Sequence, residues 1–102
     1  MSSRMFQSVI MQMKEATDRL IGVIDGEGNV IAASEPSGMS GRWEDAAHRL
    51  NATSETVTVS DGKTFKALSN WSARFDYAVF VDGTDDAARG LCIMACVALN
   101  GA

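Results

Sequence analysis

Few residues in this 102-residue chain are of types and spacings that could do chemistry. The first group is Asp25-Gly26-Glu27-Gly28-Asn29, in which oxygen-bearing side chains alternate with glycines. A phosphate cradle needs a Gly-rich turn that opens a helix, with a Lys or GxGxxG spacing. This loop has no Lys and runs into the apolar Val30-Ile31-Ala32-Ala33. A calcium loop begins with acids at alternate positions but closes on a bidentate Glu. Here the closing segment is VIAAS, so the sequence favours a turn whose glycines supply positive φ.

Cys92, Cys96 and the lone His48 form the second group. The cysteines stand four apart on an expected helix, and with the histidine they give at most three soft ligands. Structural zinc takes four, and catalytic zinc takes three plus an open position. The expectation is two reduced thiols, no metal and no cofactor. Ser and Thr are common, but no nucleophile–base pair can be assembled around His48, and an enzyme is not expected. Asn51-Ala52-Thr53 matches a glycosylation acceptor by chance in a chain read as cytoplasmic. The third group is aromatic and cationic. Trp43, Trp71 and Tyr77 could line a pocket, with Arg42, Lys66 and Arg74 offering charge to an acidic ligand.

Composition limits the function classes. Hydrophobic content of 46% against 22% charged implies a globular fold rather than disorder. The length implies one domain over residues 1–102. The net charge is −4 and the basic residues are scattered, which argues against direct nucleic-acid binding by this segment. The N-terminal stretch carries Lys14, Glu15, Asp18 and Arg19 where a signal peptide needs an apolar core. Leu91 to Leu99 is the longest apolar run, well short of the ~20 residues that span a membrane. No membrane partner and a cytoplasmic location are expected.

These groups must be held by secondary structure. Phe6, Val9, Ile10, Met13 and Thr17 repeat at helical spacing and predict a helix over 4–18. Met5 and Met11 lie off that stripe as a second, adaptable apolar face. Leu20–Ile24 and Val30–Ala33 predict a hairpin across the DGEGN loop. Glu35-Pro36-Ser37-Gly38 breaks structure. Arg42–Leu50 predicts a short helix with Trp43, Ala46, Ala47 and Leu50 inward.

Thr56–Ser60 alternates, with Val57 and Val59 on one face and Thr56 and Thr58 on the other. Asp61-Gly62 predicts a tight hairpin into Thr64–Leu68, with Phe65 and Leu68 packing. Ser69–Arg74 is a loop, and Phe75–Val81 predicts a central strand. Gly83 ends that strand. Thr84 is the expected N-cap of a helix from Asp85 to Leu99, with Asp85 and Asp86 in its first turn. Ala87, Leu91, Met94, Ala95 and Ala98 form one side of it, with Ala88, Cys92 and Cys96 close by. After Arg89 that helix has no charged residue, so one side should meet the sheet and another the first helix or a second subunit. The expected fold is α+β, in the order α-β-β-α-β-β-β-α. It forms a five-stranded antiparallel sheet with the terminal helices on one side.

This order resembles the GAF/PAS/roadblock-like group. Ile21 to Ala46, IGVIDGEGNVIAASEPSGMSGRWEDA, is similar to the start of N-terminal sensor domains in bacterial PucR-like and sugar-diacid-type transcriptional regulators. There an apolar-D-x-x-G-x-apolar-apolar-A-S run precedes a Gly-containing loop and a short helix. The resemblance implies a small-molecule-sensing and dimerisation domain rather than an enzyme, with a helix-turn-helix domain later in the chain. By position it places a small metabolite, acidic if the cations take part, against Ser34, Arg42, Trp43, Trp71 and Tyr77. The apolar terminal helices imply a homodimer through Phe6, Ile10, Met13, Leu91, Met94 and Ala98. The alternative is a roadblock-like dimerisation scaffold without ligand, which would join sheets edge to edge and pair the second helix.

Overall fold

Eight elements follow one another in the expected order in the computed structural model. They are α1 (Ser3–Met13), β1 (Ile21–Asp25), β2 (Val30–Ala33), α2 (Glu44–Ala52), β3 (Thr58–Ser60), β4 (Lys63–Ala67), β5 (Tyr77–Asp82) and α3 (Asp86–Asn100). The structure describes residues 3–35, 42–52, 57–60, 62–68 and 77–100. The expectations for residues 36–38, Thr56, Asp61, the loop at 69–74 with Trp71 and Arg74, and Phe75 lie outside them.

The strands form one antiparallel sheet in the order β2-β1-β5-β4-β3. FDYAVFV reads as a central strand, and β5 is the middle one. Its Ala78, Val79, Phe80 and Val81 are all buried because helices cover both faces. Ile21, Val23, Val79 and Val81 turn to the face covered by α1 and α3, where they pack with Phe6, Ile10, Ala88, Cys92, Ala95 and Leu99. Ile24, Phe65, Ala78 and Phe80 turn to the other face, beneath Ala46, Ala47 and Leu50 of α2. The terminal helices thus share one side, and α2 lies alone on the other.

Five local features differ from the sequence reading, each for a physical reason. The first helix stops at Met13 rather than 18. The Glu15 and Ala16 amides bond only three residues back, and Thr17 Oγ1 accepts from the Arg19 N–H. Such a local side-chain bond competes with the helix ladder. The cap of α3 is Asp85, not Thr84: its Oδ1 accepts the Ala88 N–H at 3.2 Å. Arg19 adds two 2.8 Å bonds to the same carboxylate, which holds Asp85 below the usual carboxylate range and ties the α1–β1 connection to the head of α3.

The inward face of α3 is Ala88, Cys92, Ala95, Cys96 and Leu99; of the expected Ala87-Leu91-Met94-Ala95-Ala98 side only Ala95 is on it, and the face is rotated toward the neighbouring Ala88, Cys92 and Cys96. Small residues let the helix lie close to the sheet, and the larger Met94 is displaced outward. In β3 the face that enters the fold carries Thr58 and Ser60, while Val59 is 47% exposed, because Thr58 stands opposite Phe65 and so turns with it toward α2. Trp43 precedes α2 instead of lying within it, since its carbonyl receives the Ala47 N–H and so opens the helix ladder.

Candidate functional site

The DGEGN loop closes on itself. Asp25 Oδ1 accepts the N–H groups of Glu27 and Asn29 at 2.9 and 3.0 Å, and Oδ2 accepts from the Asn29 amide at 3.3 Å. Burial pushes the Asp25 carboxyl up, but these bonds together outweigh it and leave it below its ordinary range. Gly28 sits at φ 91°, and its carbonyl receives the Trp43 N–H at 2.7 Å. The loop is a turn that docks the start of α2, as an Asx-type turn with a left-handed glycine would be.

The expected ligand residues do not converge. Ser34 is only 2% exposed, and its hydroxyl accepts the Ile21 N–H at 3.0 Å, continuing the β1–β2 ladder. Tyr77 stacks edge-on against Phe6, 5.0 Å between centroids, on the α1–α3 side of the sheet. Trp43 lies on the opposite side, 6.1 Å from Phe65 and 6.2 Å from Phe80, with Lys63 Nζ 5.3 Å over its ring. Arg42 is exposed and paired with Glu44 at 2.9 Å. A shallow hollow of about 240 Å³ is framed by Arg42, Trp43, Glu44 and Asp45. Trp71 lies outside the described residues. The sheet itself therefore separates Tyr77 from Trp43. Sequence position could not show this, because neighbouring strand positions alternate between faces.

Two buried polar atoms on the α2 side have no hydrogen-bond partner among the described residues: Trp43 Nε1 and Thr58 Oγ1, the latter in a residue only 7% exposed. Thr58 stands opposite Phe65 in the β3–β4 pairing, so both atoms flank the same aromatic cluster. Buried polar groups are normally paired, and an unpaired one calls for an explanation.

Both cysteines are free and buried. Cys92 Sγ lies 3.6 Å from the Thr64 carbonyl and 3.7 Å from that of Val79, and Cys96 Sγ lies 3.5 Å from that of Ala67. Burial pushes the Cys92 thiol up to about 12 and raises Cys96 as well, so both stay as thiols at neutral pH. His48 is exposed on α2, away from them. Among the described residues no group of three or more His, Cys, Asp or Glu could hold a metal ion, and no helix is long and apolar enough to cross a membrane.

The outer surface of the α1–α3 layer is the most unusual feature. Met94 and Val97 are 65% and 69% exposed, and Met5 and Met11 each 44%. The methionines off the α1 stripe are thus exposed, but on separate flanks of the helix, with Met11 beside Gln7 and Ile31, and α3 adds its own apolar surface. Of the expected interface residues, Met94 and Ala98 are exposed, and Met13 and Leu91 are half-buried. Phe6 and Ile10 are wholly buried in the chain's own core and cannot be contact surface.

Both edges of the sheet, by contrast, carry a side-chain seal. On edge strand β2 the Gln7 amide donates to the Ala33 carbonyl at 2.8 Å and accepts the Ala33 N–H at 3.1 Å, as a neighbouring strand would. At the other end of the same edge, Asn29 bridges to Arg42. On edge strand β3, Arg49 of α2 donates to the Val59 carbonyl at 3.0 Å. Such seals suppress edge-to-edge pairing. Sequence reasoning missed Gln7 and Arg49 because a polar residue on a helix reads as solvated. The one signal in the sequence is that Gln7 lies next to Phe6, at the margin of the buried stripe.

No family model matches the sequence, and no match was found among curated proteins or among solved structures.

Proposed function

We propose that this domain is a self-associating module whose contact surface is the outer face of the α1–α3 layer. One observation carries the reading. The two most exposed large apolar side chains among the described residues, Met94 and Val97, stand on a helix with no charged residue after Arg89. Leaving such side chains in water forgoes roughly 25 cal/mol for each Å² of apolar area that could be buried. The seals on β2 and β3 and the polar outer face of α2 (Glu44, Asp45, His48 and Arg49) favour this surface over an edge-joined dimer. The likeness of residues 21–46 to regulator sensor domains supports a role as the dimerising part of a bacterial transcriptional regulator.

Sedimentation velocity tests the reading. Wild type should shift from monomer to dimer with concentration, and Met94→Glu should remain monomeric with an unchanged melting temperature, because the side chain makes little contact within the chain. A dimer that survives Met94→Glu sinks the proposed surface.

Ligand sensing is favoured by a separate observation, the unpaired Trp43 Nε1 and Thr58 Oγ1 beside the α2-covered aromatic cluster. Both can donate, which suits a small carboxylate entering beneath α2; Lys63, over the Trp43 ring, is itself paired with Asp82 at 3.0 Å. Titration with a panel of sugar acids and purine-pathway acids should quench Trp43 fluorescence in a Trp71→Phe background. Quenching that persists unchanged in Thr58→Val would remove Thr58 from the site.

A further inference from the structure

The exposed stripe of α3 has an internal order that no contact among the described residues explains. It runs through Ala87, Gly90, Met94 and Val97, all of them exposed. The first two are small and the last two large. Gly90 is the unexpected member. A glycine inside a helix costs about 1 kcal/mol relative to alanine, and a Cβ at Gly90 would meet nothing within 4 Å among the described residues. The chain's own packing does not require a glycine there.

We infer that a second copy of this chain docks on α3 in antiparallel orientation, about a two-fold axis at position 92, with Met94 of each copy seated in the gap at Gly90 of the other. This rests on the self-association proposed above and adds its register. In an antiparallel pair centred on 92, Gly90 faces Met94 and Ala87 faces Val97. Each large side chain then meets a small one, twice, as an isologous interface requires. Parallel pairing would set large against large and leave the small half uncovered. It would also bring Asp86 of both copies side by side, Asp85 being paired with Arg19. The antiparallel arrangement separates them by roughly 18 Å along the helix axis at 1.5 Å per residue, beyond the ~10 Å screening length. Without a side chain at Gly90, the helices can approach at the short end of the usual ~8–10 Å interaxial range. The half-buried Leu91 and Ile93 flank the crossing, whereas Met11 of α1 lies away from it, beside Gln7 and Ile31 at the β2 edge.

The second copy is favoured over an unrelated partner because the stripe complements itself in size, and because it carries no charge that would select an oppositely charged surface. Gly90→Leu tests the pairing directly. It meets no neighbour within the chain and improves helix propensity, so the monomer should keep or raise its melting temperature. Filling the gap should nevertheless weaken the dimer roughly tenfold or more. The double exchange Gly90→Met with Met94→Gly keeps one glycine in the helix and restores large-against-small contact, so it should recover most of the affinity.

A second measurement does not depend on the fold tolerating the exchange. A mixture of Gly90→Cys copies and Met94→Cys copies should yield mixed disulfide dimers on mild oxidation, with the buried Cys92 and Cys96 silent. Wild type that stays monomeric overturns this pairing together with the self-association it rests on. A wild-type dimer that Gly90→Leu leaves intact, or a mixture that forms no mixed disulfide, overturns only the antiparallel register.

Discussion

Gly28→Ala should lower the stability of the domain by about 3 kcal/mol, which for a chain of this size lowers the melting temperature on the order of 10 °C. Two costs combine. Gly28 sits at φ 91°, a region an alanine enters only with strain. A Cβ there would also lie 2.6 Å from the Trp43 carbonyl carbon and oxygen and 2.8 Å from the Glu44 nitrogen. All three atoms are backbone at the start of α2, so no rotamer change relieves the overlap. The turn must open or α2 must lift, and either breaks the 2.7 Å bond from the Trp43 N–H to the Gly28 carbonyl. Gly62→Ala is the control, since Gly62 has φ 74° but a Cβ added there would meet nothing within 4 Å. It should cost only the backbone term, about 1 kcal/mol. Chemical denaturation of the two variants separates strain from contact, and equal losses would mean that the loop does not hold α2. If ligands enter beneath α2, Gly28→Ala should also alter the fluorescence of Trp43.

The DGEGN loop shows what the sequence can and cannot convey. Its spacing is enough to reject phosphate and calcium and to leave a turn, and the hairpin follows from its apolar flanks. That the same loop also carries α2 is not legible, because the Gly28–Trp43 contact joins segments brought together only in three dimensions. Element order, the central strand and the shared side of the terminal helices are legible because each follows from apolar periodicity and run length. The orientation of α3 is not. Where nearly every position is apolar, periodicity cannot choose a face, and the decision falls to size: Ala88, Cys92, Ala95 and Cys96 are small enough to lie against the sheet. The ligand set fails for a related reason. Its position after the hairpin points to Ser34, yet that hydroxyl completes a strand ladder, and Tyr77 and Trp43 belong to opposite sides of the sheet.

Gly22 and Phe80 carry the second large effect. They stand opposite each other in the β1–β5 pairing, on the face covered by α2. A Cβ on Gly22 would overlap the Cζ and Cε1 of Phe80 and lie 2.8 Å from the Ala32 carbonyl oxygen. The ring cannot swing away freely, because Phe65 and Trp43 hold it at 5.9 and 6.2 Å and it is fully buried. Gly22→Ala should therefore cost about 2–3 kcal/mol through overpacking. Phe80→Ala should cost about 3–5 kcal/mol through the cavity it leaves beneath α2. The pair should be strongly non-additive. In Gly22→Ala with Phe80→Leu the shorter side chain makes room for the new methyl group, so the double variant should be more stable than the sum of the separate Gly22→Ala and Phe80→Leu losses by about 1 kcal/mol or more. The recovery should be incomplete, because the overlap with the Ala32 carbonyl remains and only a shift of β2 relieves it. Gln7 grips Ala33 next to that carbonyl, so the residual strain should appear as faster amide exchange at Ala33, on the edge that Gln7 seals. Strict additivity in a double-mutant cycle would show that the ring does not lie over Gly22, and with it would go the account of why a glycine occupies the middle of a buried strand.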